Sequence, residues 1–391
     1  GVYPTGIPEL YATVDIDDNN AVSLKNKDKQ GYNNAFIGLA SVYDYKTFWN
    51  ELDIESGEIV SAYYDLDKYS DMKTKTFDWY DVGTVDNYIK AKNLFKDSKV
   101  YSIPKTNGEF LYKVGNRFIK LSSDKTFIDG RIKRAIDLDN LVPELIYCGD
   151  NVYAYEWVDG DVFYDYENLE VWEKFLDFAN KNLWKEIRVD DGFVEECEEF
   201  YHDKTFHRLE LFLKDRDESF SDKHIVNGVN TDTIENLLAD FNWIKVFHGI
   251  PTKLYHGDFH FDHVVYNGDD ENFYLLDWRQ DFAGSNVGDV YYDLAKMYGG
   301  ILMSYKLMKD EENFSCFIDQ NVVSYNYKSE PMLDKFRPIY EKWITKNGYD
   351  LDKVKLITAL IFLNMSPLHE KGFGDMLFFK SKQMLQEIND K

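Results

Sequence analysis

The 391-residue sequence is short of proline, cysteine and positive charge, and each shortage excludes something. Eight scattered prolines leave no proline-rich linker, and no repeat or low-complexity tract interrupts the chain. Three cysteines, Cys148, Cys197 and Cys316, are odd in number, dispersed and without CxxC spacing. That excludes a disulfide framework and reads as reduced thiols of a cytoplasmic protein. Apolar runs stop well short of the roughly 20 residues a membrane span needs, and no charged start leads into an apolar signal segment. With 45 Lys and Arg against 70 Asp and Glu, the formal net charge is -25. Such a chain repels phosphate backbones and anionic lipid, so neither a nucleic-acid nor a membrane partner is expected.

What is abundant is aromatic. Twenty-nine Tyr and 28 Phe exclude disorder for most of the length, and the chain is long enough for two or three domains with a sizeable core.

The chemistry concentrates in His256-Gly257-Asp258-Phe259-His260-Phe261-Asp262-His263, followed 19 positions after Asp258 by Leu276-Asp277-Trp278. Between them, Val264 to Tyr266, the turn Asn267 to Asp270 and Phe273 to Leu276 read as a β-hairpin, which returns its outer ends to one place. Asp258 and Asp277 are therefore expected to face one site. Two such carboxylates suit phosphoryl transfer, one orienting or deprotonating an attacking hydroxyl and the other holding Mg²⁺. His260, Asp262 and His263 could instead suggest a zinc or iron cluster.

The stretch resembles the catalytic loop of the aminoglycoside phosphotransferase and choline kinase group, relatives of the protein kinases, whose pattern is His-Gly-Asp, four residues, then Asn. Gly288 to Ala295 resembles the segment after that family's metal-binding Asp. The resemblance implies an α+β, bilobal protein-kinase-like fold, with a small β-rich lobe at 97–160 and a large helical lobe at 161–391. It implies transfer of the γ-phosphoryl group of ATP or GTP, with Mg²⁺, to a hydroxyl of a small-molecule alcohol or sugar. Asp258 is then catalytic and Asp277 the metal ligand. The family's Asn, which helps hold a second Mg²⁺, falls on His263, whose nitrogen matches a hard ion less well. A kinase-shaped nucleotide-binding module with weak turnover is the alternative reading.

Further expectations run along the chain. Strands are expected at 100–103, 110–112 and 117–121. Lys105 to Gly108 sits where a phosphate-covering turn belongs, which nominates Asn107 and Gly108 for nucleotide contact. Lys120 is the expected cation on the α- and β-phosphates, and a helix over 127–137 should supply its acidic partner, Asp129. Backbone groups of Glu156, Trp157 and Val158 are expected to meet the purine edge. His256, buried and neutral, is expected to support the catalytic loop, and Asp289 and Asp293, four apart on one helical face, are expected in structural support, with Asp289 the one that braces the loop in the family. His260 and Arg279 lie near the transfer site as contacts for substrate or phosphate, with a salt bridge from Arg279 to Asp281 or Asp289 equally open. Residues 164–250 and the segments 294–307, 333–346, 351–363 and 376–388 alternate at helical spacing.

Residues 1–96 look different. A hairpin over Tyr11 to Leu24, a buried strand over Ala35 to Tyr43, a short helix over Tyr45 to Leu52, Asp78 to Thr84 and a helix over Asp86 to Phe95 are expected. That order, with Trp79, Asp81, Gly83 and Thr84, resembles the C-terminal half of sugar-phosphate and phosphocholine nucleotidyltransferases. The resemblance implies that Asp81 helps bind a metal. The family's Gly-rich nucleotide loop has no counterpart here, so nucleotidyl transfer by this segment alone is not expected; a piece of a longer two-function protein and an accessory β-rich domain without chemistry are both open readings. Formation of a homo-oligomer is left open.

Overall fold

A computed structural model describes residues 1–54, 58–70, 72–94, 100–103, 108–190 and 192–390. The chain divides into two compact units, Gly1–Ser98 and Lys99–Lys391.

The first unit is built on four antiparallel strands, β1 (Val2–Pro4), β2 (Ala12–Asp17), β3 (Asn20–Asn26) and β4 (Asn34–Phe36), in the order β1-β4-β2-β3. Asp18 and Asn19 turn β2 into β3 with φ of 45° and 67°, a left-handed turn that short polar side chains tolerate. Two helices follow, α1 (Tyr45–Glu51) and α2 (Val85–Leu94). The buried strand expected over Ala35 to Tyr43 is formed only at its start. It stops at Phe36; Gly38 takes a φ of 79°, and Leu39 and Tyr43 are 53% and 92% exposed. A glycine in the left-handed region ends the extended run, and apolar content alone does not bury the residues beyond it.

The second unit opens with β5 (Val100–Ile103), β6 (Glu109–Val114) and β7 (Arg117–Ser122), then α3 (Lys125–Leu138), β8 (Leu145–Gly149) and β9 (Val152–Glu156). Their antiparallel sheet has the order β5-β6-β7-β9-β8. Asp124 caps α3 by accepting the N–H groups of Thr126 and Phe127. The helix turns Ile128, Arg131, Ala135 and Leu138 inward, an i, i+3, i+7, i+10 face.

Helices dominate thereafter. Strand β10 (Asp161–Val162) leads to α4 (Leu169–Asn182), α5 (Gly192–Glu198) and α6 (Lys204–Lys214), then β11 (His224–Val226), β12 (Val229–Thr231), α7 (Ile234–Ala239) and α8 (Trp243–Phe247). After β13 (Pro251–Thr252) come the hairpin β14 (Val264–Asn267) and β15 (Asn272–Leu275), β16 (Gly288–Asp289) and α9 (Val290–Leu302). The chain ends through β17 (Phe314–Asp319), β18 (Val322–Tyr327), α10 (Pro331–Lys346), α11 (Leu351–Met365) and α12 (Lys371–Asn389). The class is α+β, with a β-rich part followed by a helical part, as expected. The span 164–250 is less uniformly helical than its periodicity suggests. β11 and β12 join β17 and β18 in a sheet ordered β12-β11-β18-β17. Three-residue strands are too short to show a period of two, so the sequence conceals them.

The helical part is centred on aromatic rings. Phe163 is fully buried, with ring centroids 5.3 Å from Trp172, 4.9 Å from Phe175 and 5.3 Å from Phe261. Phe261 lies between Asp258 and the hairpin, so this cluster is the bed on which the site rests. Phe163→Ala is expected to destabilise the protein by about 3–5 kcal/mol, the usual result of emptying a large core position. A urea midpoint unchanged from the parent chain would contradict this.

Candidate active site

The site is assembled by a loop between β13 and β14. Asp293, fully buried on α9, accepts the N–H groups of His256 and Gly257, each at 2.7 Å, and the indole Nε1–H of Trp184 at 3.0 Å. Both carboxylate oxygens are thus occupied by donors, which fixes the loop's height above the helix. Burial nevertheless pushes the Asp293 carboxyl up to about 6, against the pull of those hydrogen bonds. His256, also fully buried, locks the other side. Its Nε2–H donates to the Leu276 carbonyl at 2.8 Å, and its Nδ1 accepts the Asp258 N–H at 3.2 Å. A carbonyl can only accept, which assigns the proton to Nε2. Gly257 is required by geometry: φ is 81°, and a Cβ there would stand 2.5 Å from Arg279 Cβ.

Asp258 and Asp277 meet across His263. The imidazole Nδ1 is 3.5 Å from Asp258 Oδ2 and bonds the Asp258 carbonyl at 2.9 Å, while Nε2 is 3.8 Å from Asp277 Oδ2. Asp277 has a φ of 55°, strained for most residues but accessible to Asp. Its Oδ1 accepts from Lys120 Nζ at 2.6 Å and Arg131 Nη1 at 3.0 Å. Lys120 lies within β7, 2% exposed, and has Glu109 Oε2 at 3.3 Å as a second partner. On the far side, Asp258 Oδ1 is 2.7 Å from Lys296 Nζ on α9.

These charges set the protonation states. Burial works to raise the Asp258 carboxyl, but Lys296, His260 and His263 outweigh it and hold it well below the usual range. Burial and the neighbouring His260 drop the His263 imidazole to about 4, and burial with His263 drops His256 to about 3. Both imidazoles are neutral near pH 7, and Asp258 is an anion.

Several expected residues lie elsewhere. Asp129 is exposed and near Lys125, one position out of phase with the inward face of α3; Glu109 and Asp277 are the carboxylates on Lys120. Asp289 is the N-cap of α9, accepting the N–H groups of Ile250 and Tyr291 and the Tyr201 hydroxyl. The loop amides themselves are held by Asp293, one helical turn further on, while Asp289 reaches Ile250 just before β13 and Tyr201 besides its own first turn. Trp157 N–H is committed to the Asn116 carbonyl at 3.1 Å, which removes one expected purine donor, while Glu156 ends β9. Val158 follows outside the strand. Gly108, with φ of 76°, opens β6, and Asn107 lies outside the described residues. Arg279 Nε donates to the Asp281 carbonyl at 2.8 Å, so its bond to that residue is made to the backbone and not to the anticipated carboxylate. Asp81 accepts from Tyr11, Gly83 and Asn87, a structural role that ties a loop to α2.

Three site residues escaped the sequence reading: Lys296, Arg131 and Glu109. A lone Lys in the otherwise apolar α9 stretch Leu294 to Met297 was the available signal for the first. Arg131 carried a weaker one, three residues from the buried Ile128.

The donor set separates two kinds of metal. Asp277 offers hard oxygens of the sort Mg²⁺ accepts beside phosphate oxygens, so it fits that ion; the His263 nitrogen does not. Asp258, His260 and His263 have ligand atoms within 4.8 Å of one another, a transition-metal pattern, but the Lys296 ammonium lies against that carboxylate. Asp262 turns away to Lys309 at 2.8 Å, so the trio of His260, Asp262 and His263 is not formed.

No protein-family model matches the chain, and no curated protein matches it. Among solved structures, a choline kinase from Cryptosporidium parvum Iowa II is similar at 12% identity and TM-score 0.43, covering 78% of this chain and 97% of that one. An ethanolamine kinase from Plasmodium vivax matches at 14% identity and TM-score 0.39, covering 78% and 89%. Choline kinase LicA from Streptococcus pneumoniae matches at 14% and 0.36, covering 78% and 100%.

A pH test follows from His256. Its folded form stays neutral to about pH 3, whereas an unfolded imidazole takes up a proton near 6.5. Between those values the unfolded chain binds more protons, so this group's contribution to stability is lost on acidification. His256→Gln is expected to cost about 1–3 kcal/mol at pH 7 through its broken hydrogen bonds. It should also flatten the fall in Tm below pH 6.5; thermal unfolding across a pH series measures both, and an equally steep fall would refute the assignment.

Proposed function

We propose that residues 99–391 form a small-molecule kinase, transferring the γ-phosphoryl group of ATP or GTP to a hydroxyl of an alcohol. The observation that carries this reading is the convergence of Asp258 and Asp277 on one imidazole, with the buried Lys120 on Asp277. The bond between the γ-phosphorus and its β-bridging oxygen breaks, and a bond from that phosphorus to the acceptor oxygen forms. The hydroxyl proton leaves by way of the Asp258 carboxylate, and the nucleoside diphosphate departs. With its basicity suppressed by Lys296, Asp258 acts mainly by holding the hydroxyl in line, and takes the proton late. Lys120 and Arg131 meet the phosphates, and Asp277 would hold Mg²⁺, which neutralises charge on the leaving oxygens. His263 fills the position of the family's Asn and spans the two carboxylates, so a single metal is the fitting number.

The resemblance of residues 1–96 to a nucleotidyltransferase half supports a pathway in which a sugar or choline-like alcohol is phosphorylated and then activated with a nucleotide. Precursors of cell-surface polysaccharide are made by chemistry of that type. This extension rests on analogy between adjoining segments.

The test is release of nucleoside diphosphate from MgATP or MgGTP in the presence of candidate alcohols. Asp258→Asn is expected to lower turnover by about 10²–10⁴-fold with nucleotide affinity retained. Asp277→Asn is expected to weaken binding of the nucleotide–Mg²⁺ complex itself, read by calorimetry. Similar, mild effects from both substitutions would count against these roles.

A further inference from the structure

Against Asp258 lies a cavity of about 220 Å³ whose lining carries five cations and a single carboxylate. The cations are Arg131, Lys204 and Arg208 of α6, Arg279 and Lys296; the carboxylate is Asp258 itself. In a chain with a net charge of -25 this is a local reversal of sign. Lys120 and Asp277 do not line it, and Arg131 is the one lining residue that the kinase reading also gives to the phosphates.

The charges inside are only partly balanced. Arg131 is paired with Asp277, and Lys296 with Asp258. The other three have neutral partners among the described residues. Arg208 Nη1 donates to the Asn364 carbonyl at 3.0 Å, and Arg279 Nε to the Asp281 carbonyl at 2.8 Å. The Lys204 ammonium sits 3.6 Å from the centre of the Phe200 ring. Burial, together with Arg279, Arg208 and Lys296, drives the Lys204 ammonium well below its ordinary value, with Asp281 pulling the other way. Half-buried cations gathered in one cavity without counter-charge repel one another, and a bound anion would relieve that cost. Arginine is the side chain suited to holding phosphate or carboxylate by two parallel hydrogen bonds. The remaining wall is apolar, from Ile357, Leu360 and Ile361 of α11.

We propose that the phosphoryl acceptor is an anionic alcohol, a small molecule bearing a phosphate or carboxylate besides the hydroxyl that is phosphorylated. Lys204, Arg208 and Arg279 bind its anionic group, and its hydroxyl lies at Asp258. The proposal rests on the kinase reading and narrows it: an ammonium alcohol such as choline or ethanolamine would enter a field of its own sign.

The experiment uses the full chain with MgATP and acceptors matched in carbon skeleton. Glycerol 3-phosphate and glycerate are compared with glycerol, and a hexose 6-phosphate and a hexuronate with the free hexose, with choline and ethanolamine as cationic arms. At least one anionic acceptor is expected to exceed its neutral counterpart in kcat/KM by about ten- to a hundred-fold, the worth of one charge-assisted hydrogen bond. The phosphate and carboxylate arms identify which anion is recognised. Lys204→Met and Arg208→Gln are expected to raise KM for that acceptor by about ten-fold with little change in KM for ATP. Preference for choline, ethanolamine or an uncharged sugar would overturn the proposal and leave the kinase reading standing. If no acceptor turns over, glycerol 3-phosphate and glycerate are titrated calorimetrically into the protein. Saturable binding lost in Arg208→Gln would then support an anion site while the kinase reading fails, and no binding would overturn both.

Discussion

Two sets of opposed charges, buried and half-buried, govern the second unit: Glu109 and Asp277 about Lys120, and Asp258 against Lys296, with the neutral His263 between them. Each member would be too costly to hold away from water alone, and each is tolerable only because a partner supplies the opposite sign. The arrangement spans the β-sheet, the loop before β14 and the middle of α9. Those elements have to be brought together before any one of the ions is compensated. Fold and site are in this sense one electrostatic problem.

Helical phase decides which carboxylate does what. Asp289 and Asp293 share a face of α9, yet the first ties the helix end to Ile250 and Tyr201 and the second reaches the loop amides. Lys296, three residues further, reaches Asp258 from the same side. On α3 the same logic operates in reverse. Arg131 falls on the inward face with Ile128 and Ala135, and Asp129 falls outside it. Arg134, fully buried, donates to the carbonyls of Lys253 and Asn286 and lies 3.9 Å from the Tyr255 ring. The face of this helix that meets the site is therefore basic.

Much of this was legible in the sequence because it depends on local chemistry. The hairpin between Asp258 and Asp277 is encoded by β-branched and aromatic runs flanking an Asn-Gly turn, and that hairpin is what returns Asp277 toward Asp258. His256 was legible as a neutral prop because the resemblance gives its position that role and burial favours the uncharged imidazole. Lys296, Arg131 and Glu109 were not, since their partners lie on other elements and no short spacing encodes a contact of that range. The apolar run after Phe36 misled for a related reason: composition reports what a segment prefers, while burial depends on what the rest of the fold offers to cover it. The strands from His224 to Thr231 were hidden by their brevity.

Trp278, directly after Asp277, is fully buried, and its indole N–H donates to the Arg131 carbonyl at 2.7 Å while its ring packs by Tyr153 and Tyr155. Asp277 belongs to the helical part by chain connectivity, yet by contact it is bolted to the sheet and α3. Its neighbours Leu276 and Arg279 in turn donate their N–H groups to the carbonyls of His263 and His256, so the Asp277 peptide is the rivet that fastens the sheet and α3 to the loop carrying Asp258.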